Sequence, residues 1–182
     1  MHPSRALIAA VALSRAPGLA SVLRAQPLPS GVELLLRVLA HDPDASEAAR
    51  AMAGLSEAEL IAAAELYVLQ VMLYPGAPSR RVLGVEPEAD RAAVRAHLRL
   101  LLNWLHPDKN TNAWHAPFAS RVIAAWRQVD SGLEDDQPRD RDVIRPRSWF
   151  AYRMPWIAWP SEARHKRTSR WSIKGLRNFL GA

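Results

Sequence analysis

Apolar residues recur at helical spacing through most of the chain, broken by Pro and Gly at the places where helices stop. A first helix is predicted over about residues 4–15, closed by Pro17-Gly18. Ser30 with Glu33 has the spacing of a capping box and leads into Leu34, Leu35, Leu36, Val38 and Leu39. Ser56 with Glu59 repeats the device ahead of Leu60, Ile61, Ala64, Leu66, Val68, Leu69, Val71 and Leu73. That run is apolar on more than one face, as in a helix enclosed by neighbours, and Pro75-Gly76 ends it. Residues 1–76 thus read as an N-terminal helical domain. Its carboxylates and bases are scattered over outer faces, which is the pattern of a packing or docking domain without chemistry.

The pattern restarts at Ser79. A short apolar turn of helix runs to Leu83-Gly84-Val85, and Pro87 then marks a loop. Asp90 suits an N-cap, and residues 91–105 form the next predicted helix. Val94, Leu98, Leu101, Leu102 and Leu105 fall on one side of it, while Arg91, Arg95 and Arg99, four residues apart, make a cationic stripe on another. After the turn at 106–112, Pro117 suits a first helical position, and Phe118, Val122, Ala125, Trp126 and Val129 give a second apolar face. Two such faces on either side of a short turn bury each other as an antiparallel hairpin.

Composition divides the chain in a different way. With 182 residues, 49% of them apolar and 23% charged, it belongs to the globular class. The net charge of +6 resides in residues 143–182, which carry nine Arg and Lys against Glu162, or +8. Residues 1–142 hold 15 basic and 17 acidic groups, or −2. Residues 133–182 read as a poorly structured, basic, Trp-rich tail, with Trp149, Trp156, Trp159 and Trp171. Three accounts of it stand: a solvated or folded-back segment, a contact with an anionic membrane surface, or, less favoured for want of a recognised fold, a contact with nucleic acid. No run is long enough to span a bilayer, and Ala6–Leu13 is short for a signal peptide. There is no cysteine, which excludes disulfides and thiolate metal sites and suits a reducing compartment. The excess of Arg over Lys, with abundant Ala, suits a bacterium with a GC-rich genome.

The candidate chemistry lies in the turn His106-Pro107-Asp108-Lys109-Asn110. Pro107 stops the preceding helix beside an imidazole and a carboxylate. In the plainer reading Asp108 caps local backbone and nothing more. His97, His106 and His115 stand nine residues apart, which is not a metal-ligand spacing. A His–Asp catalytic pair would need a nucleophile or a second base nearby; Ser120 is the candidate, and nothing marks it, so no catalytic residues, metal or cofactor are expected.

In this context the segment 79–132 resembles the J domain of DnaJ-type co-chaperones. Arg81-Val82-Leu83-Gly84-Val85 is similar to the end of that family's first helix, and Ala89-Asp90 to the start of its second. Val94, Leu98 and Leu101 are similar to the core of the second helix, and Phe118, Val122, Ala125 and Trp126 to the third. The resemblance implies an all-α chain that binds a DnaK-type (heat-shock-70) chaperone and stimulates its ATP hydrolysis without being an enzyme itself. The implied contacts are His106, Pro107, Asp108, Lys109 and Asn110, with Arg95 and Arg99 facing an acidic partner surface. Leu98, Leu100 and Trp104 stand where the family often has aromatic or basic residues, so the cationic face is thinner than usual. The family's fourth helix is not recognisable after Gly132, and the zinc repeats and Gly/Phe-rich linker of full-length DnaJ are absent. The expected location is the cytoplasm, with tail-mediated attachment to the inner membrane as an option. The alternative function is a helical binding protein whose tail contacts membrane or nucleic acid, the hairpin being structural or degenerate.

Overall fold

A computed structural model describes residues 4–106 and 116–132. The described residues contain helices and no strand, so the fold is all-α. They lie in the first of two compact units, Met1–Val143; the second, Ile144–Ala182, falls outside them together with the whole of the expected tail.

Helix α1, Arg5–Arg15, is capped by Ser4, whose Oγ accepts from the Leu7 N–H at 3.3 Å and donates to the Gly31 carbonyl at 3.1 Å. The Ala6 N–H donates to the Ser30 carbonyl at 3.1 Å, which ties the start of α1 to the turn before α3. A 3-10 turn at Pro17–Leu19 leads into α2, Ala20–Ala25. Helix α3, Val32–Leu39, begins after Gly31, a left-handed residue (φ 86°), and has no side-chain cap. The capping box expected at Ser30 and Glu33 therefore does not form. Ser30 and Gly31 are engaged by α1, so the helix starts one residue too late for that spacing to operate.

The second expected box does form: the Ser56 N–H donates to Glu59 at 3.0 Å, and the Glu59 N–H to Ser56 Oγ at 3.4 Å. Between the two lies α4, Pro43–Ala53, with Asp42 accepting from the N–H groups of Asp44 (3.1 Å) and Ala45 (3.2 Å). Pro43 takes the first helical position and Gly54 ends the helix with φ 63°. Helix α5, Glu57–Tyr67, continues into a π-helical turn, Val68–Met72, rather than staying α-helical to its end as expected. Leu60, Ala63, Ala64, Tyr67, Val68, Leu69, Val71, Met72 and Leu73 are all buried, as an enclosed helix requires.

Then follow α6 (Ser79–Val82), α7 (Arg91–Trp104) and α8 (Ala116–Asp130). Helix α8 packs on α6 and α7, while α7 also packs on α3, which in turn meets α1, α4 and α5. Arginines stitch the segments before and after Gly76 together. Arg81 donates to the carbonyls of Leu23 (3.4 Å) and Gln26, and Arg121 to those of Leu73 (2.9 Å) and Tyr74. These carbonyls lie at the ends of α2 and of the π turn, where the helix supplies no partners of its own. Arg24 adds a bond to the Gln70 carbonyl at 2.6 Å and lies over the Tyr74 ring, 5.1 Å from its centre. Gly84 (φ 70°) sits at the same seam, against Met72 and Val32.

Candidate partner-binding surface

Helix α7 carries the candidate stripe, and its start is fixed by Asp90, which accepts from the Ala93 N–H at 2.7 Å. Its buried side is formed by Val94, His97, Leu101 and Trp104, continued by Leu105. This face is rotated from the expected one: Leu98 and Leu102 are only half-buried, and His97 and Trp104 take inner positions. The reason is a polar contact that an apolar pattern does not register. His97 Nδ1 lies 3.1 Å from the Leu83 carbonyl, so the ring satisfies a buried backbone group while packing like a hydrophobe.

Arg91, Arg95 and Arg99 are exposed on the opposite side. Arg91 is bonded to the other end of the structure, donating to the Asp130 carbonyl at 3.0 Å with the Asp130 carboxylate at 3.3 Å. The first residue of α7 thus meets the last residue of α8. No carboxylate among the described residues pairs with Arg95 or Arg99. At about 100° per residue, the exposed arc containing Arg95 and Arg99 lies opposite the buried one.

Beyond Trp104 the helix ends at Leu105 (φ −82°, ψ 1°), and His106 follows, exposed, in the next position. His106 stands seven residues after Arg99 and eleven after Arg95. Pro107, Asp108, Lys109 and Asn110 lie outside the described residues, as do Trp114 and His115. The stripe is bordered by Asn103, whose side chain donates to the Ala40 carbonyl at 3.4 Å, so the end of α3 adjoins the end of α7. The sequence gives no hint of this neighbour, because the two residues are 63 positions apart.

Among the described residues no group of three His, Asp or Glu side chains is placed to hold a metal ion, and no helix is long and apolar enough to cross a membrane. Comparison of the chain with models of protein families, with curated proteins and with solved structures finds no match.

Proposed function

We propose that the chain is a J-domain co-chaperone that docks on a DnaK-type chaperone through α7 and the turn after it, and stimulates that partner's ATP hydrolysis. The observation that carries this reading is the arrangement of α7. Two exposed arginines, neither paired with a carboxylate among the described residues, lie on one side of the helix, and His106, exposed just past its end, begins the His-Pro-Asp tripeptide. The bond between Arg91 and Asp130 further supports a reading of α7 and α8 as the antiparallel hairpin of a J domain.

In this reading Asp108 accepts a charge-assisted bond from an arginine of the partner, and Pro107 fixes the shape of the turn. His106 bonds the partner or the turn backbone, with Lys109 and Asn110 completing the tip. Arg95 and Arg99 attract the acidic partner surface, raising the association rate and making it sensitive to salt. The chain supplies no reacting group; the nucleotide is bound and hydrolysed by the chaperone.

The test is single-turnover ATP hydrolysis by the chaperone with the full-length protein added. Wild type is expected to accelerate hydrolysis, and His106→Gln and Asp108→Asn to lose that effect. Equal stimulation by these variants, or none by wild type, refutes the proposal.

A further inference from the structure

Helix α8 stops at a left-handed glycine. The Ser131 N–H donates to the Arg127 carbonyl at 3.0 Å and the Gly132 N–H to the Val129 carbonyl at 3.2 Å, and Gly132 takes φ 68°. A stop of this kind turns the chain off the helix axis. The bond between Arg91 and Asp130 fixes where that happens, since Arg91 donates to the Asp130 carbonyl at 3.0 Å with the carboxylate at 3.3 Å. The chain therefore leaves α8 beside the first residue of α7, at the head of the stripe that continues through Arg95 and Arg99. Past Gly132, outside the described residues, the sequence reads Leu133-Glu134-Asp135-Asp136, three carboxylates in a row with no base before Arg139.

Reach and charge both match this run to the stripe. At 1.5 Å per residue, Arg95 and Arg99 lie about 6 and 12 Å along α7 from Arg91. Extended chain advances about 3.3–3.6 Å per residue, which carries residues 134–136 about 7–14 Å past Gly132. Arg91 is already engaged by Asp130, whereas Arg95 and Arg99 are exposed and pair with no carboxylate among the described residues. From Arg139 onward arginines offset the acids, so the attraction is confined to the trio.

We infer that Glu134-Asp135-Asp136 folds back along α7 and covers Arg95 and Arg99, an occupant from within the chain for the surface that an acidic partner would use. The contact stands on reach and charge; that it restrains docking rests on the proposed function. Single exposed ion pairs are weak, but a segment tethered a few residues away acts at an effective concentration in the millimolar range. The cover is therefore formed at low salt and is displaced by a partner that brings more carboxylates or further contacts. Salt loosens it and the partner's hold on the same arginines together.

The first experiment reads the contact without the chaperone. The natural lysines are Lys109, Lys166 and Lys174, so Arg95→Lys with Arg99→Lys keeps the charge and places new amines on the stripe of the full-length protein. Zero-length carbodiimide coupling in dilute solution at low salt, mapped by mass spectrometry, is expected to join position 95 or 99 to residues 134–136, with a yield at least threefold lower in 0.5 M salt. Coupling that reaches only Glu86, Glu88 or Asp90, or none at all, overturns the inference. The second experiment measures the concentration giving half-maximal stimulation of the chaperone's single-turnover ATP hydrolysis. Glu134→Gln, Asp135→Asn and Asp136→Asn together are expected to lower it about threefold at low salt, the difference fading at high salt. If this variant matches a wild type that does stimulate, the trio exerts no restraint and the inference fails, with the co-chaperone reading intact. If wild type gives no stimulation, that reading and the restraint fall together, and the coupling result alone decides the contact.

Discussion

Gly84→Ala is expected to destabilise the protein strongly, because the substitution meets two separate penalties at the seam. Residue 84 is held at φ 70°, where an L-residue costs about 1–2 kcal/mol. The added Cβ would also lie 2.7 Å from Met72 Cε, 2.9 Å from Val32 Cγ1 and 3.5 Å from His97 Nδ1. Met72 can swing its terminal methyl aside, but Val32 is β-branched and buried at the start of α3, so it has little freedom to yield. Overpacking of this kind costs about 1–3 kcal/mol, giving a total of about 2–5 kcal/mol. At about 2–4 °C per kcal/mol for a protein of this size, Tm falls by roughly 4–20 °C. Thermal unfolding followed by circular dichroism measures the shift. Gly54→Ala is the control: φ is 63° there, yet nothing lies within 4 Å of the new Cβ, so only the backbone penalty of about 1–2 kcal/mol remains. Equal Tm shifts for the two variants would refute the claim that Val32 and Met72 close over residue 84.

Four further outcomes follow from the same physics. Tyr67→Phe should leave stability unchanged or raise it by about 1 kcal/mol in urea unfolding, since the buried hydroxyl has no partner among the described residues. Burial also pushes the Tyr67 phenol above its ordinary value, so the variant should lose part of the wild type's decline in stability above about pH 10. Asp90→Ala should cost about 1 kcal/mol by leaving the Ala93 N–H uncapped, with helix loss at the start of α7 visible by amide exchange. On the acid side, the bond from Arg37 holds the Asp42 carboxyl below its ordinary range, and the bonds from Ser56 do the same for Glu59. Both groups contribute stability above the carboxylate range and lose it as pH falls through it, so Asp42→Asn and Glu59→Gln should flatten the decline of Tm below about pH 4.5. Under the proposed function, Arg95→Glu with Arg99→Glu should slow association with a DnaK-type chaperone at low salt; thermal stability should stay close to wild type, because neither arginine pairs with a carboxylate among the described residues.

What could be read from sequence was local, and what could not was made by distant contacts. Ser56 and Glu59 lie within one helical turn and need nothing beyond each other, so their spacing suffices. Ser30 and Glu33 have the same spacing and fail, because α1, more than twenty residues earlier, takes over the turn before α3. Asp90 was legible as a cap, and Arg91, Arg95 and Arg99 as an outer stripe, since both follow from helix geometry alone. The inward turn of His97 was not, because its value depends on the Leu83 carbonyl meeting its ring. The π turn at Val68–Met72 also left no sign in a run that is apolar all round, where a period cannot be read. At the tripeptide, sequence alone supplies Pro107 and Asp108, and the structure adds that His106 is exposed directly after the end of α7.

The arginine stitches have a practical consequence for anyone cutting this chain. A fragment beginning at residue 77 would keep Arg81 and Arg121 but lose the carbonyls of Leu23, Gln26, Leu73 and Tyr74 that receive them. It would also strip Val32 from over Gly84 and Ala40 from beside Asn103. Such a piece cannot be transplanted like a cassette. A chimera that borrows it must carry the upstream helices along, or supply substitute walls for surfaces that were never shaped to face water.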